Sequence, residues 1–121
     1  MKSNRPIYLN LRQIRQPLPA IISFLHRLSG AVLFLGLPFL LIVFEASLSG
    51  PDAFEQMLNN PATRLGLYCL LAAYFYHCFA GLRFLLMDVG WGVALTPARR
   101  ASWMVLLAAA SSAFALGVWL W

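Results

Sequence analysis

Apolar residues run almost unbroken through three stretches, 20–48, 65–87 and 103–121, separated by short segments that collect the prolines, asparagines and most acids. At 1.5 Å per helical residue the stretches measure about 43, 34 and 28 Å, against a hydrocarbon core of about 30 Å. Each is long enough to cross a bilayer as a helix. The first is longer than needed, which sets its opening turns, with Ser23, His26, Arg27 and Ser29, near one interface, and Pro38 is a candidate kink. Glu45 then falls close to the opposite surface, where a carboxylate costs less. Residues 1–19 form a polar, basic arm ending in Gln16-Pro17-Leu18-Pro19, whose prolines suit the first turn of the following helix. Ser49-Gly50-Pro51-Asp52 and Asn59-Asn60-Pro61 predict a turn-rich connection with room for a short interfacial helix. Residues 88–102, with Asp88, Pro97 and Arg99-Arg100, read as the second loop. The third span carries tryptophan at both ends, an aromatic-belt pattern, and Ala109, Ala113 and Gly117 at every fourth position, a stripe that admits a close neighbouring helix.

Composition narrows the class further. With 61% hydrophobic and 11% charged residues in 121, the expected fold class is an all-α integral membrane protein with three transmembrane helices, one membrane-anchor domain. The net charge of +5 does not signal nucleic acid, because the nine Lys and Arg residues are scattered over ends, loops and helices instead of forming one basic face. The first apolar run is too long for a signal-peptide core and is read as a retained span. Lys2, Arg5, Arg12 and Arg15 lie in the arm and Arg99 and Arg100 in the second loop, whereas the 49–64 connection has only Arg64 beside two acids. The positive-inside rule then gives a cytoplasmic N-terminus and a periplasmic C-terminus, in a bacterial cytoplasmic membrane. Cys69 and Cys78, nine residues apart on one helix, cannot pair with each other there, and no CxxC or CxxCH motif is present. Both are expected to pack as small apolar residues.

The candidate chemistry centres on His77, near the middle of the second span. A neutral imidazole at that depth binds a haem iron or makes an interhelical hydrogen bond, and the residues alone leave both open. Gly81, one turn on, would leave room for a flat macrocycle. His26 is expected nearer the interface, so a second axial ligand would have to come from another chain. Arg83, about 9 Å along the helix from His77, is placed to neutralise a haem propionate, or else to snorkel or pair with Asp88. Ser23 and Arg27, four apart on one face of the first helix, can hydrogen-bond a quinone carbonyl at the membrane surface; as a bare flank, Arg27 would only mark the cytoplasmic side.

Ser23-Phe24-Leu25-His26-Arg27-Leu28-Ser29-Gly30 resembles the S-x-x-H-R-x-[ST]-G motif of the large cytochrome b membrane-anchor subunit of succinate dehydrogenase, respiratory complex II. His77-Cys78-Phe79-Ala80-Gly81-Leu82-Arg83, followed by Asp88, is similar to that family's haem-ligand segment, and Arg5-Pro6 matches too. The resemblance covers essentially the whole chain. It implies a subunit that is not catalytic alone, sharing haem b with a second small membrane anchor and holding a flavoprotein and an iron–sulfur subunit at the membrane. Electrons from succinate would pass to ubiquinone. By motif position His77 is the haem ligand, His26 and Arg83 support the propionates, and Ser23 and Arg27 contact quinone. One departure is Phe84, where the family often has histidine. Readings from other classes are a purely structural anchor whose His77 binds nothing, and a small transporter subunit with His77 and Arg83 on an ion path.

Overall fold

The computed structural model describes residues 16–121, and the arm's Lys2, Arg5, Arg12 and Arg15 lie outside the described residues. Four helices follow in order: α1 (Leu18–Ser49), α2 (Pro51–Leu58), α3 (Pro61–Asp88) and α4 (Leu95–Leu120), with no strand among the described residues. α1, α3 and α4 are each long and apolar enough to cross a membrane. α1 enters through Pro17 and Pro19, which need no helical N–H partner in the first turn. It continues unbroken past Pro38. α3 is likewise continuous, so the interrupted helices that line many ion paths are absent from these two elements.

The connection between α1 and α3 folds as the eight-residue α2. Ala53, Phe54, Met57 and Leu58 are half-buried on one of its faces, and Asp52, Glu55 and Gln56 are exposed on the other. Arg64 reaches back to its end, donating from Nε to the Leu58 carbonyl at 2.6 Å and from Nη2 to Asn59 Oδ1 at 3.1 Å. The cation thus satisfies a carbonyl that the helix terminus leaves without a partner. Asn60 starts α3, its Oδ1 accepting from the Ala62 N–H at 2.9 Å, with Pro61 in the first position. Asn60→Ala should cost about 1 kcal/mol, the usual value of an N-cap, read as a lowered Tm of the purified subunit complex, with Asn60→Asp close to wild type.

Burial explains how α1 and α3 associate. On α1, Ile22, His26, Ser29, Leu33, Gly36, Leu40 and Val43 are all at least half-buried, and they alternate steps of four and three. On α3, Thr63, Gly66, Leu70, Ala73, His77, Ala80, Phe84 and Met87 do the same. This 3.5-residue period is the signature of two helices packed side by side at a shallow left-handed angle. The glycines show the antiparallel register. A Cβ on Gly36 would overlap the Leu70 side chain, one on Gly66 would come within 2.9 Å of Phe39, and one on Gly30 would lie 3.1 Å from His77 Cε1. As the α1 number falls, the α3 number rises.

α4 packs chiefly on a second face of α3. Ile22, Ala80 and Val105 form the small centre where all three long helices meet, flanked by Tyr76, Phe79, Phe84 and Leu106. At the far end Gly117 admits Tyr68 of α3, whose ring also stands edge-on to Trp121. α3 is therefore the neighbour that the small-residue stripe serves at Gly117. α4 begins at Leu95, so Arg99 and Arg100 belong to its first turns and not to a loop reaching residue 102. The true loop is shorter and turns on Gly90 and Gly92, with φ of 87° and 73°, values that a side chain would strain. Cys69 and Cys78 also differ from expectation. Both are free thiols on exposed faces of α3 and take no part in its packing.

Candidate functional site

His77 projects from α3 towards α1, opposite Ser29 and Gly30. Its Nδ1 lies 3.1 Å from the backbone carbonyl oxygen of His26 and 3.1 Å from Ser29 Oγ, and that hydroxyl donates to the same carbonyl at 2.8 Å. A carbonyl can only accept, so Nδ1 carries the proton. Nε2 then keeps its lone pair, the form of imidazole that ligates a metal.

His26 does not sit at a separate, shallower level. Its ring stacks on that of His77, with centroids 4.1 Å apart and planes inclined by 12°. The expectation of unmatched depth counted residues from the helix starts alone. The antiparallel register places the two side chains about one turn apart along the axis, a gap their rings bridge. Gly30 makes close room for the His77 ring, and a Cβ at Gly81 would stand in ordinary contact with His26 Nε2 at 3.4 Å. Each imidazole rests against a glycine of the opposite helix. Phe84 closes the other side of His26 at 5.2 Å between centroids, filling with carbon the place where a polar ring would have offered hydrogen bonds.

Stacked rings lie alongside each other, whereas two axial ligands point at one iron from opposite faces of a macrocycle. In this geometry the two histidines are not a ligand pair.

Arg83 is 5% exposed, and Nε, Nη1 and Nη2 have no hydrogen-bond partner among the described residues. Neither snorkelling nor pairing with Asp88 describes it, since the guanidinium is buried and Asp88 is exposed. Its Cζ lies 5.2 Å from the Phe84 ring. A buried cation without acceptors is expensive, so the guanidinium offers unused donors that a negatively charged group could satisfy. Arg83 also borders a cleft of about 480 Å³ between α3 and α4, walled by Phe79, Leu82, Leu86, Met104 and Val105, with Arg100 at its edge.

Ser23 and Arg27 follow Ile22 and His26 by one residue and so lie about 100° round α1 from the contact with α3. Ser23 is half-buried and Arg27 exposed, and neither side chain forms a hydrogen bond among the described residues. The fold thus gathers His26, His77 and, at its margin, Arg83, and leaves Ser23 and Arg27 on an adjoining outward face. Two contributors were not singled out from sequence as site residues: Ser29, and Tyr76, whose hydroxyl donates to the Ile22 carbonyl at 3.1 Å. Pairing the α1 and α3 periods in antiparallel would have found Ser29. Nothing in the local pattern marks Tyr76.

Comparison with known proteins adds a family. A family model described as succinate dehydrogenase/fumarate reductase transmembrane subunit matches residues 1–117. A succinate dehydrogenase cytochrome b556 subunit of Coxiella burnetii is 31% identical, covering 100% of both chains. The corresponding b556 subunit of Paracoccus denitrificans is 33% identical over 84% of this chain and 80% of its own. A cytochrome b560 subunit of Reclinomonas americana is 32% identical over 78% of this chain and 72% of its own.

Proposed function

This chain belongs to the succinate dehydrogenase/fumarate reductase transmembrane-subunit family, and on that premise we propose that it binds haem b through His77 and forms part of a ubiquinone site with Ser23 and Arg27. As a succinate dehydrogenase anchor it is a multi-pass inner-membrane protein whose partners include the flavoprotein and iron–sulfur subunits. The observation that carries the haem reading is the environment of His77: Nδ1 hydrogen-bonded to the His26 carbonyl and Ser29, and the Nε2 lone pair left free to ligate. Cytochrome b is also the name its relatives bear.

The residues fit the group. When bound, haem supplies one-electron transfer through its iron. His77 is the ligand from this chain, and the face-to-face stacking of His26 supports a second ligand from a second small anchor subunit. The three unpartnered nitrogens of Arg83 suit a propionate, which would give the buried guanidinium its counter-charge. His26, held beside Gly81, is a second donor for that carboxylate.

Ser23 and Arg27 are free to act outward, where a partner subunit and quinone would meet them. The hydroxyl donates to a quinone carbonyl, and the guanidinium stabilises the negative charge that builds on that oxygen during reduction. Arg64 caps α2, and the other described basic residues, Arg27, Arg83, Arg99 and Arg100, lie towards the end where α1 starts and α3 finishes, in keeping with a cytoplasmic N-terminus and a periplasmic C-terminus. The test is a visible spectrum of the assembled complex, oxidised and then reduced with dithionite. A b-type band sharpening on reduction is expected. A flat difference spectrum from a fully assembled complex sinks the haem reading.

A further inference from the structure

The three oxygen and nitrogen atoms beside His77 form a closed arrangement with a direction. Ser29 is 7% exposed, on the α1 face that meets α3. Its hydroxyl hydrogen goes to the His26 carbonyl, 2.8 Å away, which leaves the lone pairs of Oγ facing His77 Nδ1 at 3.1 Å. The same Nδ1 also meets that carbonyl at 3.1 Å. Nδ1–H is therefore shared between two acceptors, and reversing the tautomer would set a nitrogen lone pair against a carbonyl lone pair. The ring is constrained a second way. One face rests on the His26 imidazole and the Cε1 edge faces Gly30, so two sides of the ring are in contact.

We propose that Ser29, together with the His26 carbonyl, is the positioning residue that fixes His77 as the Nδ1–H tautomer and presents Nε2 as the iron ligand, a role that rests on the haem reading above. A hydrogen bond accepted from the far nitrogen of a ligating histidine orients the ring and makes it a stronger electron donor. A stronger donor favours the oxidised iron. Ser29 thereby lowers the reduction potential of a haem it does not touch.

The test compares Ser29→Thr with Ser29→Val in the assembled complex. The two variants add the same bulk and differ in the hydroxyl alone, so packing disturbance cancels between them. Ser29→Ala, which adds no atoms, serves as a second hydroxyl-free variant that cannot clash. Redox titration of the b-type band and the low-spin electron paramagnetic resonance spectrum are the readouts. Ser29→Thr should keep the wild-type midpoint and g-values, while Ser29→Val and Ser29→Ala should move the midpoint to higher potential and broaden or shift the g-values. Equal midpoints and g-values for the Thr, Val and Ala variants, with the band present, overturn the role of Ser29 and leave haem binding standing. Absence of the band from the wild-type complex overturns both.

Discussion

The complex carrying His77→Ala should lose at least nine-tenths of its b-type absorbance while the flavoprotein and iron–sulfur subunits remain attached. The substitution removes the one imidazole whose Nε2 is free and whose Nδ1 is bonded. It leaves the rest of the contact between α1 and α3 in place. Ser29 still donates to the His26 carbonyl, Leu70 still fills the notch at Gly36, and Phe39 still fills the one at Gly66. Alanine is the best helix former, so α3 itself is not weakened. The gap left over Gly30 costs some packing. His26→Ala is the informative contrast. It deletes a stacking partner and the proposed propionate donor but keeps the backbone carbonyl that holds His77. Haem should be retained there, with an altered midpoint. Unchanged absorbance in His77→Ala would reduce His77 to a structural hydrogen bond.

The second large effect is expected at Arg27. Replacing it with leucine should lower ubiquinone reduction by about 10- to 100-fold, since a hydrogen bond to a charged group is worth about 1.5–3 kcal/mol and each 1.4 kcal/mol is a tenfold change in rate. Succinate oxidation by an artificial soluble acceptor should be unaffected. The two assays should separate because Arg27 is exposed, lies off the contact with α3 and makes no hydrogen bond among the described residues. Leucine also suits a helix surface bordering lipid. Arg27→Lys, with charge but without the planar fork, should fall between the two. Equal loss in both assays would mean that the variant fails to assemble, and full quinone activity would remove Arg27 from the site.

Much of this architecture could be read from the chain, because bilayer thickness imposes a length that soluble proteins lack. Three apolar stretches could only become three long helices, and Asn60-Pro61 and the two entry prolines of α1 announce their own helix starts. The start of α4 was harder to see. Arg99 and Arg100 look like loop residues in a hydropathy pattern, yet arginine is a good helix former, and Leu95 to Pro97 already provide a first turn. The site was legible in its residues but not in its geometry. His26 and His77 stand out as the only two histidines, yet their stacking depends on register, and register depends on small notches at Gly30, Gly36 and Gly66 that hydropathy does not weigh. Arg83 was ambiguous for a related reason. Counting along the helix gives its distance from His77 but not its burial, which depends on where α4 closes against α3.

The reciprocal fit of each imidazole on the opposite helix's glycine bears on how the protein is made. Among the described residues, the groups shown against His77, namely Ser29, Gly30 and His26, all belong to α1. A nascent chain halted before residue 95 therefore already contains the full hairpin, with its pivot at α2 capped by Arg64 from within. The histidine pair can take shape at the translocon while the last span is still inside the ribosome. α4 arrives afterwards as a brace, setting its Val105 against Ile22 and Ala80 beside a site whose polar geometry the first two long helices have settled between themselves.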